Sequence, residues 1–293
     1  MNTISDYLSE LKKNLQGRDS ALVQDALADA EEYLTDALAG VKEEQPGLSD
    51  SDAFSLAVEQ YGLPGEIAQE YISIEKRTGP YSPNVKKGKS IFARFFGIFA
   101  DSKTWGAVLF ILISLITGCI YFSWSAAGIS LTLGLILFIF GLFVLLFYLY
   151  SLRGIALLEG RLVEGLLGVR MPHRPLFMPK GMGWKEQLKM LFKEKHTWFT
   201  LIYTILQLPL GVIYFSLFII LIAASLSSCV FPFWVNGILK LNGLVSSINF
   251  TVSMWTTPLF ILGGILLLTL TLWMCRGIGW LHGKWARLML VVE

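Results

Sequence analysis

Three histidines and three cysteines are the side chains with the widest chemical reach in this sequence, and their spacing argues against catalysis. His173, His196 and His282 have no metal-ligand neighbour one helical turn on. Cys119, Cys229 and Cys275 sit far apart in apolar sequence without a C-x-x-C spacing. They read as small apolar side chains rather than a disulfide frame or a zinc site. No G-x-S-x-G, Walker A or G-x-G-x-x-G pattern occurs. One polar pair stands out: Glu159 and His282 occupy equivalent positions of the internal repeat described below. A cross-repeat contact between them would titrate near neutral pH; the plainer reading puts both at a wet interface. The expectation is a non-enzymatic protein with no cofactor and no metal.

The elements that hold these residues divide by composition. The chain has 293 residues, 54% of them hydrophobic and 16% charged, with mean hydropathy +0.58. Soluble domains carry about 25% charged residues, so much of this chain must face lipid. Residues 1–75 hold 16 acids and 4 bases, and the remaining residues hold 6 acids and 20 bases. The small overall charge therefore hides an acidic module and a basic one. The segment Met1 to Lys13 is polar and amphipathic, unlike the apolar core of a signal peptide.

Residues 1–75 read as a small bundle of four amphipathic helices. Residues 3–15 place Ile4, Tyr7, Leu8, Leu11 and Leu15 at helical spacing, with Thr3 and Asp6 at capping distance. A second helix over 19–39 is expected to end at Gly40, a third runs from Ser49 to Gly62, and Pro64 opens a fourth. The run from Ala53 through Tyr61-Gly62-Leu63-Pro64-Gly65-Glu66-Ile67-Ala68 resembles the end of HAAS-type signalling domains, as do Tyr7-Leu8 with Leu11 and the acidic second helix. The resemblance implies fusion to a membrane module and a PadR-type cytoplasmic regulator as partner.

A linker over 76–90 leads to a membrane domain over 91–293. No charge occurs from Thr104 to Leu152, which is enough for two spans. Spans are expected near 105–125, 130–151, 199–224 and 258–275, with the first turn at Ser125, Ala126, Ala127 and Gly128. Seventeen Lys and Arg residues fall on one side of these spans and Lys240 alone on the other. That bias puts both termini in the cytoplasm of a four-span protein of the cell membrane.

The spans repeat. An offset of 93 aligns Thr104-Trp105 with Thr197-Trp198, and Gly118 with Gly211. An offset of 123 aligns Arg153-Gly154 with Arg276-Gly277. Repeat 1 covers 91–169 and repeat 2 covers 184–292, two parallel two-span units. Each unit ends in an amphipathic stretch (153–168 and 276–292) suited to the headgroup boundary. Trp105, Arg153, Gly154, Trp198, Arg276 and Gly277 are the signature and interface candidates. With Leu166-Leu167-Gly168-Val169 and Leu208-Pro209-Leu210-Gly211 they resemble the "Sensor" membrane domain of prokaryotic signalling proteins. In many relatives that domain precedes a histidine kinase. None follows Glu293 here, so direct phosphotransfer is not expected.

The fold class expected is all-α: a small soluble helical bundle, then a polytopic four-span membrane domain of two parallel repeats with amphipathic interfacial helices. The function expected is a membrane sensor or regulator that passes a membrane or envelope state to a cytoplasmic partner, the acidic bundle docking on the basic 170–195 loop. A transporter or channel component is the alternative, although Gln207 is the clearest polar side chain inside a span. The bilayer is a partner, self-association stays open, and no direct nucleic-acid binding is expected. The mostly apolar 225–257 loop reads as an outer cap or as a surface for lipid or ligand.

Overall fold

The computed structural model describes residues 3–45, 47–78, 95–135, 138–174, 183–235 and 255–291. Lys86, Lys87, Lys89, Arg94, Lys180, Lys240 and most of the 225–257 loop lie outside these residues. Among the described residues the fold is all-α, a helical bundle followed by four long apolar helices, as a polytopic membrane domain requires.

In the bundle, α1 (Ile4–Asn14) starts where the Thr3 hydroxyl accepts the Asp6 N–H at 3.2 Å. The turn to α2 (Ser20–Glu44) passes through Gly17 at φ +80°, and the Asp19 carboxylate caps α2 by accepting the Ala21 N–H at 2.9 Å. Contrary to expectation, α2 does not stop at Gly40. A single glycine costs a helix only about 1 kcal/mol, and α2 runs on to Glu44, just short of Pro46. Ser49 caps α3 (Asp50–Tyr61), and Gly62 closes it at φ +111°. In α4 (Pro64–Thr78), Glu66 reaches back to accept the Leu63 N–H at 3.1 Å. Tyr7, Leu11, Leu15, Leu22, Leu34 and Phe54 form the core. The buried Tyr7 hydroxyl donates to the Gly62 carbonyl at 2.8 Å and ties α1 to the α3–α4 corner.

The long helices are α5 (Ser102–Leu135), α6 (Ile139–Leu167), α8 (Lys195–Phe233) and α9 (Thr257–Leu290), and the short α7 (Trp184–Lys193) precedes α8. A helix of 34 residues is roughly 50 Å long, well beyond a hydrocarbon core of about 30 Å. Two expectations need correction. The first turn is not at 125–128, because α5 runs through Ser125, Ala126, Ala127 and Gly128 to Leu135. Those small residues serve packing: Ser125 donates to Thr204 Oγ1 at 3.0 Å, and a Cβ on Gly128 would strike the Tyr148 ring. The amphipathic stretches 153–168 and 276–292 are also not separate helices. Arg153-Gly154 and Arg276-Gly277 sit inside α6 and α9, which continue without a break. Likewise α8 passes through Pro209.

The chain forms two compact units. The first comprises residues 1–84, 123–205 and 283–293, and the second comprises 85–122 and 206–282. In the second, Ile98, Val108 and Ile111 pack with Leu272 and Cys275. In the first, Leu191 packs with Tyr148, Leu149 and Leu152, and partly buried Leu201 packs against them. By the offsets of 93 and 123, Ile98 matches Leu191, Val108 matches Leu201, Leu272 matches Leu149, and Cys275 matches Leu152. Each core therefore joins the entry of one repeat to the second span of the other.

Candidate functional site: the bundle latch and the paired contacts of the repeats

The latch grows from the end of α6. Gly168 adopts the left-handed conformation (φ +69°) and donates its N–H to the Glu164 carbonyl at 3.0 Å, which stops the helix. The chain then turns back along its own unit. Val169 lies where a Cβ on Gly283 would come within 2.7 Å, and Met171 is buried against Gly160. Through these contacts Leu166-Leu167-Gly168-Val169 presents the backbone of His173 and Arg174 to the bundle.

On α2, Asp25, Asp29 and Glu32 are spaced by four and three residues and share one face. Asp25 is 9% exposed. Its Oδ1 accepts the backbone N–H of His173 at 2.7 Å and of Arg174 at 3.0 Å. The His173 ring stands between two carboxylates, with Nδ1 3.3 Å from Asp25 Oδ2 and Nε2 3.0 Å from Glu164 Oε2. Arg174 pairs with Asp29 at 2.6 Å and with Glu32 at 3.0 Å. Asp29 also accepts from the Tyr71 hydroxyl at 2.8 Å, which fixes it to α4. Burial and that hydrogen bond push the Tyr71 hydroxyl pKa up. Two outlying pairs flank the centre: Arg170 with Glu75 at 3.7 Å, and Arg287 with Asp19 at 2.9 Å.

Magnitudes rank these contacts. Exposed ion pairs contribute about 0–1 kcal/mol each, and Arg174 and Glu32 are both about half exposed. A hydrogen bond to a charged group contributes about 1.5–3 kcal/mol, and Asp25 receives two from backbone donors out of water. Asp25 is therefore the energetic centre of the latch.

Equivalent positions of the two repeats make equivalent contacts. Trp105 donates its ring N–H to the Phe99 carbonyl at 2.8 Å, and Trp198 donates to the Phe192 carbonyl at 2.9 Å. Arg153 pairs with Glu194 at 2.5 Å, and Arg276 pairs with Asp101 at 2.5 Å. In the second unit, a Cβ on Gly118 would lie 2.9 Å from the Gln207 carbonyl oxygen, and one on Gly211 would lie 2.6 Å from that of Ser114. Ser114 and Gln207 match each other at the offset of 93, so α5 and α8 cross on paired small residues. Gly154 and Gly277 have open space around them, and no close approach explains them. Glu159 is fully buried and accepts from the Tyr203 hydroxyl at 2.8 Å, while Tyr203 stacks on Trp285. His282 is also fully buried, its ring 4.7 Å from Phe110 and 5.7 Å from Tyr214. These two candidates fall in different units, each with its own aromatic neighbours.

Sequence reasoning missed the acids that complete the arginine bridges. Asp101 and Glu194 are 93 residues apart, each three residues before a Thr-Trp pair, so the repeat itself carried the signal.

The family model described as "Putative sensor" matches residues 110–290, which is more than half of the chain. The chain belongs to the Sensor family. The match takes in Arg153-Gly154, the Gly168 stop, Thr197-Trp198 and Arg276-Gly277, and it leaves residues 1–109 uncovered. No curated protein and no solved structure matches the chain. A Sensor domain of four long apolar helices makes this a multi-pass membrane protein with a sensor role.

Proposed function

We propose that this protein is a non-enzymatic regulator of the cell membrane, with both termini in the cytoplasm, in which the membrane domain sets how firmly the acidic bundle is held. A change in the bilayer or envelope shifts the long helices. Because α6 and α9 continue past the bilayer as single rods, the shift reaches the 168–174 segment and Arg287 directly. Release of the latch frees the face of Asp25, Asp29 and Glu32 for a cytoplasmic partner. The HAAS resemblance of residues 1–73 favours a PadR-type regulator in that place. The observation that carries this reading is the Asp25 carboxylate held by the backbone N–H groups of His173 and Arg174.

Cysteine cross-linking tests it, with Glu32→Cys and Arg174→Cys in one full-length chain in native membranes. The yield should be high at low salt and fall as screening grows, since the Debye length shrinks to about 10 Å at 0.1 M. No cross-link at low salt would sink the latch. One observation favours the second reading, a transporter or channel component: Glu159 is a buried carboxyl in a long helix, hydrogen-bonded to Tyr203. Substrate-dependent flux through the reconstituted protein would decide for that reading.

A further inference from the structure

A groove in the acidic bundle gathers most of its bases. Of the four bases in residues 1–75, Lys12, Lys13 and Arg18 line a single cleft between α1 and α2, while Lys42 is paired with Asp50 at 2.7 Å. The three are exposed, and none of them is ion-paired among the described residues. The groove holds about 660 Å³, within the range of about 300–1,000 Å³ typical of small-ligand sites. Its two chemistries are separated along its length. Because α1 and α2 form a hairpin through residues 15–19, the three bases gather at the turn end. Leu8, Val23 and Leu27 line the stretch beyond, and Glu31 marks the far end. Burial raises the Glu31 pKa, which agrees with apolar surroundings there. From Ser20 to Glu31 the helix rises roughly 16 Å.

We propose that this groove binds a single-chain fatty carboxylate, with the carboxylate on Lys12, Lys13 and Arg18 and the chain along Leu8, Val23 and Leu27. Charge confined to one end of an apolar track fits one anionic head on one tail. An acidic amphipathic helix would spread its charges along the groove and set some against Glu31. A phospholipid would bring a second chain with no second track to lie in. The groove lies on the α1 side of α2 and shares no residue with the Asp25, Asp29 and Glu32 face. The site therefore stands or falls independently of the latch.

The test uses full-length protein in lipid nanodiscs, a dodecanoate carrying a photoreactive diazirine, and mass-spectrometric mapping of the labelled peptides. Label should concentrate within residues 8–31. Unlabelled dodecanoate should displace it about fourfold better per methylene than shorter carboxylates, since a buried methylene is worth about 0.8 kcal/mol. Dodecyltrimethylammonium should compete at least about tenfold more weakly, because its head is repelled by the three bases. The combined Lys12→Gln, Lys13→Gln and Arg18→Gln variant should lose about nine-tenths of the labelling. Ala28→Trp should lose as much by filling the groove with its charges intact. Circular dichroism matching wild type shows that either variant is folded. Label confined to the long helices would overturn the proposal. So would equal competition by the cation, or stronger competition by an acidic amphipathic peptide or a two-chain anionic phospholipid. Groove labelling without a Glu32–Arg174 cross-link would uphold this site while removing the latch.

Discussion

The two arginine bridges occupy equivalent sequence positions but different surroundings. The Arg153 and Glu194 side chains are 8% and 21% exposed, whereas those of Arg276 and Asp101 are 41% and 28% exposed. The same divergence appears one helical turn or two further on, where Glu159 hydrogen-bonds Tyr203 and its counterpart His282 packs on Phe110, the counterpart of Tyr203. The frame is common to both copies: a tryptophan clamped to a carbonyl, an arginine on an acid, and a glycine at a crossing. What fills the frame differs. In the first copy it is drier and more polar, and there the second-span helix stops at the left-handed Gly168 and returns a segment that holds the bundle. The shared frame reads as scaffold, and under the proposed function the first copy would carry the output.

That comparison is broken most directly by removing the arginines one at a time. Arg153→Ala leaves Glu194 largely buried without its partner, and stripping one member from a buried pair costs about 3–5 kcal/mol. Arg276→Ala acts on a more exposed pair, where about 0–1 kcal/mol is at stake. Thermal unfolding in detergent should therefore show a large drop for Arg153→Ala and a small one for Arg276→Ala. Equal drops would mean that the two copies are energetically alike. The glycine crossing sharpens the shared part of the frame. Gly118→Leu and Gly211→Leu both force side-chain atoms onto backbone already in contact, and overpacking of this kind costs about 1–3 kcal/mol. The two variants should lose stability in similar measure.

Much of this was legible in the sequence, for physical reasons that also mark where reading fails. Charge-free length and apolar spacing are properties of each element by itself, so the four long helices and the bundle core of Tyr7, Leu11, Leu22 and Phe54 could be read directly. Gly128 could not. A glycine among serine and alanine signals a turn in sequence, yet here it makes room for Tyr148, a partner 20 residues away that periodicity does not reveal. Gly40 misled for the opposite reason: its cost is small against the packing that carries α2 onward. The latch was legible only as bulk charge. That Asp25 is its centre depends on two backbone N–H groups, and backbone donors leave no trace in residue types. The acids Asp101 and Glu194 were legible through the offset, because the repeat ties position to role.

Two further measurements set the first copy's latch against the bundle it holds. Asp25→Asn keeps one acceptor oxygen but removes the charge, and should weaken docking by about 1–2 kcal/mol. The Glu32–Arg174 cross-link yield should fall roughly tenfold while the thermal stability of the long helices stays unchanged. Tyr7 reports on the bundle itself. Burial, with help from Glu66 and Glu10, pushes its hydroxyl up from 10 to about 12. The folded state holds that proton more tightly than the unfolded chain, so its share of stability is complete below pH 10 and is lost as pH rises towards 12. Alkaline titration followed by circular dichroism should show the bundle weakening across that window. Tyr7→Phe should flatten this part of the curve at the cost of about 1 kcal/mol for the bond to Gly62.

The smallest effect discriminates most sharply between a latch built on backbone donors and one built on bulk charge. Glu32 and Arg174 are each about half exposed, so Glu32→Gln should change docking by no more than about 1 kcal/mol. If the −12/+14 asymmetry of the two modules held the bundle by itself, every acid on the α2 face would count alike. Glu32→Gln would then match Asp25→Asn. A cross-link between cysteines at Glu75 and Arg170, which lie 3.7 Å apart and outside the pairs compared, would report on both variants without consuming either residue. A clearly larger loss for Asp25→Asn than for Glu32→Gln places the hold in the Asp25 geometry. A ratio near one assigns it to net charge, and the first copy would then differ from the second only in what it happens to lie beside.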